Sequence, residues 1–146
     1  MVKYLNSKVT FSEVPDEISL CINITGCKYH CHGCHSPWLW EDTGEELTKD
    51  VLNKLIADNP GITCVCFMGG EPEEINKLAE DCPVKVAYYT GAETISDSLN
   101  LKNFSYIKVG PYIKEFGGLN SRFTNQTFYR IDEDLTIHDI TDKFWK

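Results

Sequence analysis

Three cysteines within eight residues, Cys27, Cys31 and Cys34, constrain this chain more than any other feature of its sequence. Thiolates at this spacing can bind one metal centre without help from distant parts of the chain. They are one ligand short of the four that a closed zinc or iron–sulfur site has. Structural metal sites have a protein ligand at every coordination position, whereas catalytic sites leave one position open for water or substrate. Three cysteine ligands therefore indicate an open metal centre.

The residue types alone leave two other interpretations open. Free thiols often do nothing but pack in a core, although a polar loop rich in histidine is a poor place for that. A zinc site is the stronger rival, because His30, His32 or His35 would complete a set of three cysteines and one histidine. The cysteine motif by itself does not choose between zinc and iron.

Length and composition predict one domain that spans residues 1–146, too short for a complete eight-unit barrel. The net charge of -8 argues against a broad nucleic-acid surface. No stretch has the pattern of a signal peptide or a membrane span, so we expect a cytoplasmic protein with no membrane partner. Seven cysteines, an odd number, then predict thiols that bind metal or pack in the core rather than disulfides.

Strand and helix patterns alternate along most of the chain. Apolar periodicity predicts strands at 2–11, 18–24, 62–68, 84–89, 104–109 and 128–131, and helices at 47–57, 72–81 and 92–99. Thr48 is the expected cap of the first helix, and Asn59 to Gly61 ends it. The alternation is typical of right-handed βαβ units and predicts an α/β fold with a parallel sheet. Cys21, Cys64 and Cys66 lie on predicted strands and are expected in the core.

A second motif, Gly69-Gly70-Glu71-Pro72, stands directly after the strand predicted at 62–68. Two glycines let a ligand approach the backbone closely, and a carboxylate beside exposed main-chain groups can hold an ammonium. Alone, these residues also fit a plain strand-to-helix turn. The cysteine motif at the end of the preceding strand favours the ligand-binding interpretation.

In their order and placement, CxxxCxxC and Gly-Gly-Glu-Pro resemble the radical S-adenosylmethionine (SAM) superfamily. The resemblance implies an incomplete, open βα barrel with about four to five βα units. It implies that Cys27, Cys31 and Cys34 ligate a [4Fe-4S] cluster, and that the amino and carboxylate groups of SAM bind the fourth iron. The SAM contacts that it implies are Gly33, Cys34, His35, Gly69, Gly70 and Glu71, the last three at the amino end of SAM.

Later stretches are similar to the activating proteins of anaerobic ribonucleoside-triphosphate reductase. They are Gly33 in the cysteine motif, Tyr89 to Gly91, Gly110 to Tyr112 and Arg122 to Gln126. The similarity implies a radical SAM oxidoreductase that cleaves SAM reductively and generates a glycyl radical on that reductase. Flavodoxin or ferredoxin is the expected electron donor, and no side chain beyond the cluster ligands and the SAM contacts is expected to take part in the chemistry. Asn125 and Gln126 are expected to stabilise a loop by hydrogen bonds.

Two other functions stay open on the sequence. One is the activation of another glycyl-radical enzyme, or other chemistry of a small radical SAM enzyme. The other is a metal-stabilised binding or electron-transfer module without SAM chemistry. The sequence also leaves open whether Trp38 and Trp40 contact a partner or cover the cysteine loop.

Overall fold

The fold is that of a computed structural model, which describes residues 2–11, 14–25, 44–111, 113 and 115–144. The cysteine loop with Cys27, Cys31 and Cys34 lies outside the described residues, together with Gly33, His35, Trp38 and Trp40. The predicted strands and helices flank that loop on both sides and are described nearly in full.

Within the described ranges, eight strands form one mixed sheet with the order β3-β1-β2-β4-β5-β6-β7-β8. The strands are β1 (Lys3–Thr10), β2 (Ser19–Ile24), β3 (Glu45–Glu46), β4 (Cys64–Met68), β5 (Lys85–Tyr89), β6 (Tyr106–Val109), β7 (Thr127–Ile131) and β8 (Ile137–Asp139). Two α-helices, α1 (Lys49–Asp58) and α2 (Pro72–Ala79), connect β3 to β4 and β4 to β5. Short 3-10 helices span Leu101–Asn103 and Thr141–Phe144.

The four central strands β2, β4, β5 and β6 pair in parallel, in chain order. Antiparallel strands extend the sheet on both sides, β1 and β3 next to β2, and β7 and β8 next to β6. The parallel strands therefore all end at one edge of the sheet. We call it the carboxyl edge and define it by the residues that follow these strands, Thr25, Gly69, Thr90 and Gly110. The open barrel stays a prediction, because a single mixed sheet does not test it.

Both helices pack on one face of the sheet. Leu52 of α1 and Ile75 and Leu78 of α2 are buried against apolar residues that alternate along β2, β4, β5 and β6. Thr48 caps α1 as predicted, since its Oγ1 accepts a hydrogen bond from the Val51 N–H at 3.2 Å. Neither helix is long and apolar enough to cross a membrane, nor is any other helix in the described part of the chain.

The opposite face, which we call the inner face, carries the residues between those core positions. Cys21, Cys64 and Cys66 are buried there, which confirms that they belong to the core. Burial of the thiol is the main reason that the pKa of Cys64 is raised to about 12, and the negative charge of the nearby Glu17 raises it further. The Cys64 thiol therefore stays protonated at neutral pH and is a poor nucleophile. The Phe144 ring packs against this core, and its centroid lies 5.0 Å from that of the Phe128 ring.

A helix over 92–99 was predicted wrongly. The segment forms turns instead, in which the Leu99 N–H donates to the Ser96 carbonyl oxygen at 3.2 Å and the Ser98 N–H donates to Ser96 Oγ at 3.1 Å. A serine side chain that bonds a nearby backbone N–H competes with helical hydrogen bonds, and here that local turn is adopted. Strands β3 and β8 were not predicted, because two or three residues are too few to show a period.

A buried carboxylate connects the amino ends of the parallel strands. Glu17, which is 7% exposed, precedes β2 and accepts hydrogen bonds from three side chains on the neighbouring strands. The donors are Thr63 Oγ1 at 2.6 Å, Tyr106 Oη at 2.7 Å and Lys85 Nζ at 2.9 Å. These side chains stand at the starts of β4, β6 and β5. Glu17 therefore links all four parallel strands at the edge opposite the carboxyl edge.

The same contacts set the charge state of Glu17. Burial raises the pKa of its carboxyl group, but the hydrogen bonds from Thr63, Lys85 and Tyr106 outweigh burial, and the pKa is lowered from its ordinary value. Burial and the hydrogen bond to Glu17 raise the pKa of Tyr106, so its hydroxyl remains a donor. Near neutral pH the Glu17 carboxyl group is therefore ionised, and the Tyr106 hydroxyl keeps its proton.

Candidate cofactor site

The two sequence motifs approach each other at the carboxyl edge. Strand β2 ends at Ile24, and Thr25 is the last described residue before the cysteine loop. Strand β4 runs parallel beside it, with Asn23 opposite Met68, and Gly69 and Gly70 follow at once. A methyl group on Gly70 would lie 3.3 Å from Ile24 Cγ2. The glycine motif therefore lies next to the end of β2, the strand that precedes the cysteine motif in the chain.

The backbone of the two glycines has a conformation that other residues rarely adopt. The φ angles are +107° at Gly69 and +97° at Gly70. The buried Tyr88 hydroxyl donates a hydrogen bond to the Gly70 carbonyl oxygen at 2.6 Å, and the Gly69 N–H donates to the Tyr89 carbonyl oxygen at 3.0 Å. Tyr88 was not predicted as a site residue, because in the sequence it looks like one more apolar residue of a core strand. These bonds from β5 hold the glycine turn in place.

We expect Gly70→Ala to destabilise the protein more than Gly69→Ala. Both variants force a side chain into the positive-φ region, which costs about 1–2 kcal/mol. Only the methyl group at Gly70 meets close neighbours, Ile75 Cδ1 at 2.8 Å and Ile75 Cγ1 at 2.9 Å, whereas Gly69 has nothing closer than 3.8 Å. Overpacking of this kind adds about 1–3 kcal/mol.

Thermal unfolding of the two variants measures this difference directly. Gly69→Ala is the matched control, because it carries the same backbone strain without the clash. Equal melting temperatures for the two variants would contradict the packing of Gly70 against Ile75.

Glu71 stands at the N-terminus of α2. Its carbonyl oxygen accepts the first helical hydrogen bond, from the Ile75 N–H at 3.0 Å. Its side chain is exposed and does not cap the helix. The carboxylate adjoins an open pocket of about 440 Å³, lined by Glu71, Pro72, Glu73, Glu74, Ser96 and Ser98. Three glutamates make this part of the carboxyl edge negative, so it favours cationic groups such as an ammonium.

The loop after β6 is held by side-chain hydrogen bonds. Asn125 Nδ2 donates to the Pro111 carbonyl oxygen at 3.0 Å, and Gln126 Nε2 donates to the Gly110 carbonyl oxygen at 3.3 Å. Both residues thus have the loop-stabilising role that the sequence predicted. The neighbouring Arg122 and Phe123 are exposed at the same end of the sheet.

The cluster ligands stay a prediction from sequence, as do the SAM contacts. In the parts of the chain with described coordinates, no three histidine, cysteine or acidic side chains are arranged to hold one metal ion. Cys27, Cys31 and Cys34 fit an iron–sulfur cluster in their chemistry, since thiolate sulfur is the usual ligand of such clusters. Gly69, Gly70 and Glu71 are the predicted contacts that the structure describes.

Comparison with known protein families gives a match. A family model described as a 4Fe-4S single cluster domain matches residues 18–97, more than half of the 146 residues. The matched stretch starts next to β2 and contains both the cysteine motif and Gly69 to Glu71. No curated protein and no solved structure matches the chain.

Proposed function

The chain belongs to the family of 4Fe-4S single cluster domains, and from that premise we propose that it is a radical SAM activating enzyme. The proposed reaction is reductive cleavage of SAM, and the proposed product is a glycyl radical on anaerobic ribonucleoside-triphosphate reductase. The membership makes the chain an iron–sulfur protein, which favours iron over zinc at Cys27, Cys31 and Cys34.

One observation favours SAM chemistry over a cluster domain that is only structural or only transfers electrons. A methyl group added at Gly70 would lie 3.3 Å from Ile24 at the end of β2, so a glycine turn with positive φ stands next to the strand end that precedes the three cysteines. A structural or electron-transfer cluster needs no such turn beside it. A cluster with three protein ligands leaves one iron for a substrate, and a ligand bound there would lie against the backbone of Gly69 and Gly70.

The described residues of the site would bind and position SAM, and none of them needs to transfer a proton. Glu71 would attract the ammonium of SAM, helped by the negative charge of Glu73 and Glu74. Tyr88 would hold the turn so that its backbone groups keep a constant position toward the ligand. When bound, the cluster would supply one electron, received from an external donor such as flavodoxin or ferredoxin, to break the bond between the sulfonium sulfur and the ribose carbon of SAM. The products would be methionine and 5′-deoxyadenosine, the latter carrying the hydrogen atom removed from the glycine. We further propose that β2, β4, β5 and β6 form the wall of an incomplete barrel, which leaves room for a loop of a protein substrate.

Anaerobic reconstitution with iron and sulfide, followed by reduction in the presence of SAM, tests this function. Methionine and 5′-deoxyadenosine are the expected products by liquid chromatography and mass spectrometry. A glycyl radical seen by electron paramagnetic resonance after mixing with the reductase would identify the substrate. A protein that carries the cluster but leaves SAM intact would be an electron-transfer or binding module instead, and the proposal would be wrong.

A further inference from the structure

The chain between β6 and β7 forms a long loop at the carboxyl edge, from Gly110 to Gln126. The two ends of this loop meet, because Gln126 Nε2 donates a hydrogen bond to the Gly110 carbonyl oxygen at 3.3 Å. Val109 of β6 pairs with Thr127 of β7, so the loop leaves and re-enters the sheet at the same edge. A connection of this length is uncommon in a compact domain, and a compact loop with close ends is often functional.

The β6–β7 loop is compact because its own polar groups bond one another. The Gly117 N–H donates to the Ile113 carbonyl oxygen at 2.9 Å, and the Gly117 carbonyl oxygen accepts a hydrogen bond from Thr124 Oγ1 at 3.2 Å. A methyl group on Gly117 would lie 2.7 Å from Ser121 Cβ, which shows how closely two parts of the loop approach. Leu119 packs against the core of the inner face. The loop is therefore held against the inner face, at the edge where the proposed SAM site lies.

Two phenylalanine side chains of this loop are exposed. Phe123 is 83% exposed and Phe116 is 47% exposed. They directly precede Thr124 and Gly117, which are hydrogen-bonded to each other, so both rings belong to one small part of the loop. An aromatic side chain can bury about 150–250 Å² in an interface. The loop satisfies its polar groups internally and leaves this apolar area for a partner to bury.

We propose that Phe116 and Phe123 form a docking surface for the protein substrate, a proposal that rests on the proposed function. The occupant is the segment of the substrate that carries the reacting glycine. Glycine has no side chain to be recognised, so the enzyme must recognise the residues next to it. Exposed aromatic rings beside the site can do so by burying an apolar or aromatic side chain of that segment, as aromatic residues do at the centres of protein interfaces.

The charges of the loop agree with an apolar partner segment. In sequence it carries two basic residues, Lys114 and Arg122, and one acidic residue, Glu115, within a chain of net charge -8. A nearly neutral surface with two aromatic rings suits an apolar peptide better than nucleic acid, whose phosphates require a strongly basic face. The charges therefore favour a protein as the occupant of this surface.

Activation of the reductase by cluster-loaded protein tests the docking surface. The glycyl radical is measured by electron paramagnetic resonance at increasing reductase concentration, which gives kcat and the KM for the reductase. For Phe123→Ala we expect this KM to rise roughly 10- to 100-fold, the loss of an interface hot spot. The smaller exposed area of Phe116 predicts a rise of roughly 3- to 10-fold for Phe116→Ala. The kcat at saturating reductase should stay within about 2-fold of wild type, since the change affects binding of the partner.

Phe11→Ala is the matched control. Phe11 is 74% exposed, but it follows Thr10, which pairs with Ser19 at the start of β2, so it lies at the edge opposite the carboxyl edge. This variant should keep the wild-type KM. Phe123→Tyr retains an aromatic ring and should keep most of the affinity for the reductase. Because Phe11 and Phe123 are largely exposed, their variants should melt within about 2 °C of wild type.

The possible outcomes keep the two proposals apart. If wild-type protein with its cluster leaves SAM intact, the proposed function is wrong and the docking surface falls with it. If wild type cleaves SAM and activates the reductase, but Phe116→Ala and Phe123→Ala keep the wild-type KM, only the docking surface is wrong.

Three other results also overturn the docking surface. One is an equal rise in KM for Phe11→Ala and Phe123→Ala, because the position at the carboxyl edge would then not matter. Another is a lower kcat at unchanged KM, which would give the loop a part in the reaction instead of in docking. The third is a wild-type dimer that Phe123→Ala dissociates, because the occupant would then be a second copy of this chain.

Discussion

Cys31→Ala is expected to abolish both cluster assembly and SAM cleavage. Removal of this predicted ligand would leave two of the three thiolates, too few to hold a cluster that normally has three or four protein ligands. Iron should fall from about four atoms per chain to less than one, with loss of the visible absorption of the cluster. No methionine or 5′-deoxyadenosine should form after reduction.

The matched control for Cys31→Ala is Cys66→Ala. Cys66 is also a cysteine, but it is fully buried in the core of β4, where its thiol donates to Met68 Sδ at 3.4 Å. This variant should keep its iron, because loss of a buried thiol leaves a small cavity rather than an incomplete cluster. A Cys31→Ala protein that still cleaves SAM would overturn the ligand assignment, and so would equal iron loss in both variants.

Glu17→Gln is expected to destabilise the protein substantially. The change removes the charge that three donors share in a buried position. Loss of charged hydrogen bonds in such a network should cost about 2–3 kcal/mol and lower the melting temperature by roughly 5–10 °C. The exposed Glu80→Gln is the control, with an expected change within about 0.5 kcal/mol.

The difference in stability between wild type and Glu17→Gln should depend on pH, because the pKa of Glu17 is lowered in the folded protein. A carboxyl group whose pKa is lowered by folding stabilises the protein above its ordinary value of 4.5, and this contribution is lost as the pH falls through the folded-state value. The gap in melting temperature between wild type and Glu17→Gln should therefore narrow as the pH drops below 4.5. A gap that is constant or widens in acid would show that the charge of Glu17 is not what stabilises the network.

Local patterns in the sequence were enough for most of the secondary structure. The strands around Cys64 to Met68 and Lys85 to Tyr89 were predicted because continuous apolar runs are typical of strands covered on both faces. The start of α1 was predicted from Thr48, whose capping bond involves a residue only three positions away. The turn at 92–99 was missed because helical and turn preferences compete there within one short segment.

The residues of the candidate site likewise include some that the sequence predicted and some that it did not. Its predicted members lie in two short motifs, Cys27 to His35 and Gly69 to Glu71, whose chemistry was predicted from the two motifs together rather than from either one alone. Tyr88 was not found, since it occupies a strand position that says nothing about the neighbouring strand. Its hydrogen bond to Gly70 depends on which strands are adjacent and in which register.

The sequence by itself determined that this is an iron–sulfur protein and that strands and helices alternate, because short motifs and local periodicity carry that information. Only the tertiary structure decided which polar groups are buried and what they bind. Glu17 meets Thr63, Lys85 and Tyr106 across 46, 68 and 89 residues of chain. Such contacts form when strands that are distant in sequence pair in one register, and no local pattern carries that information.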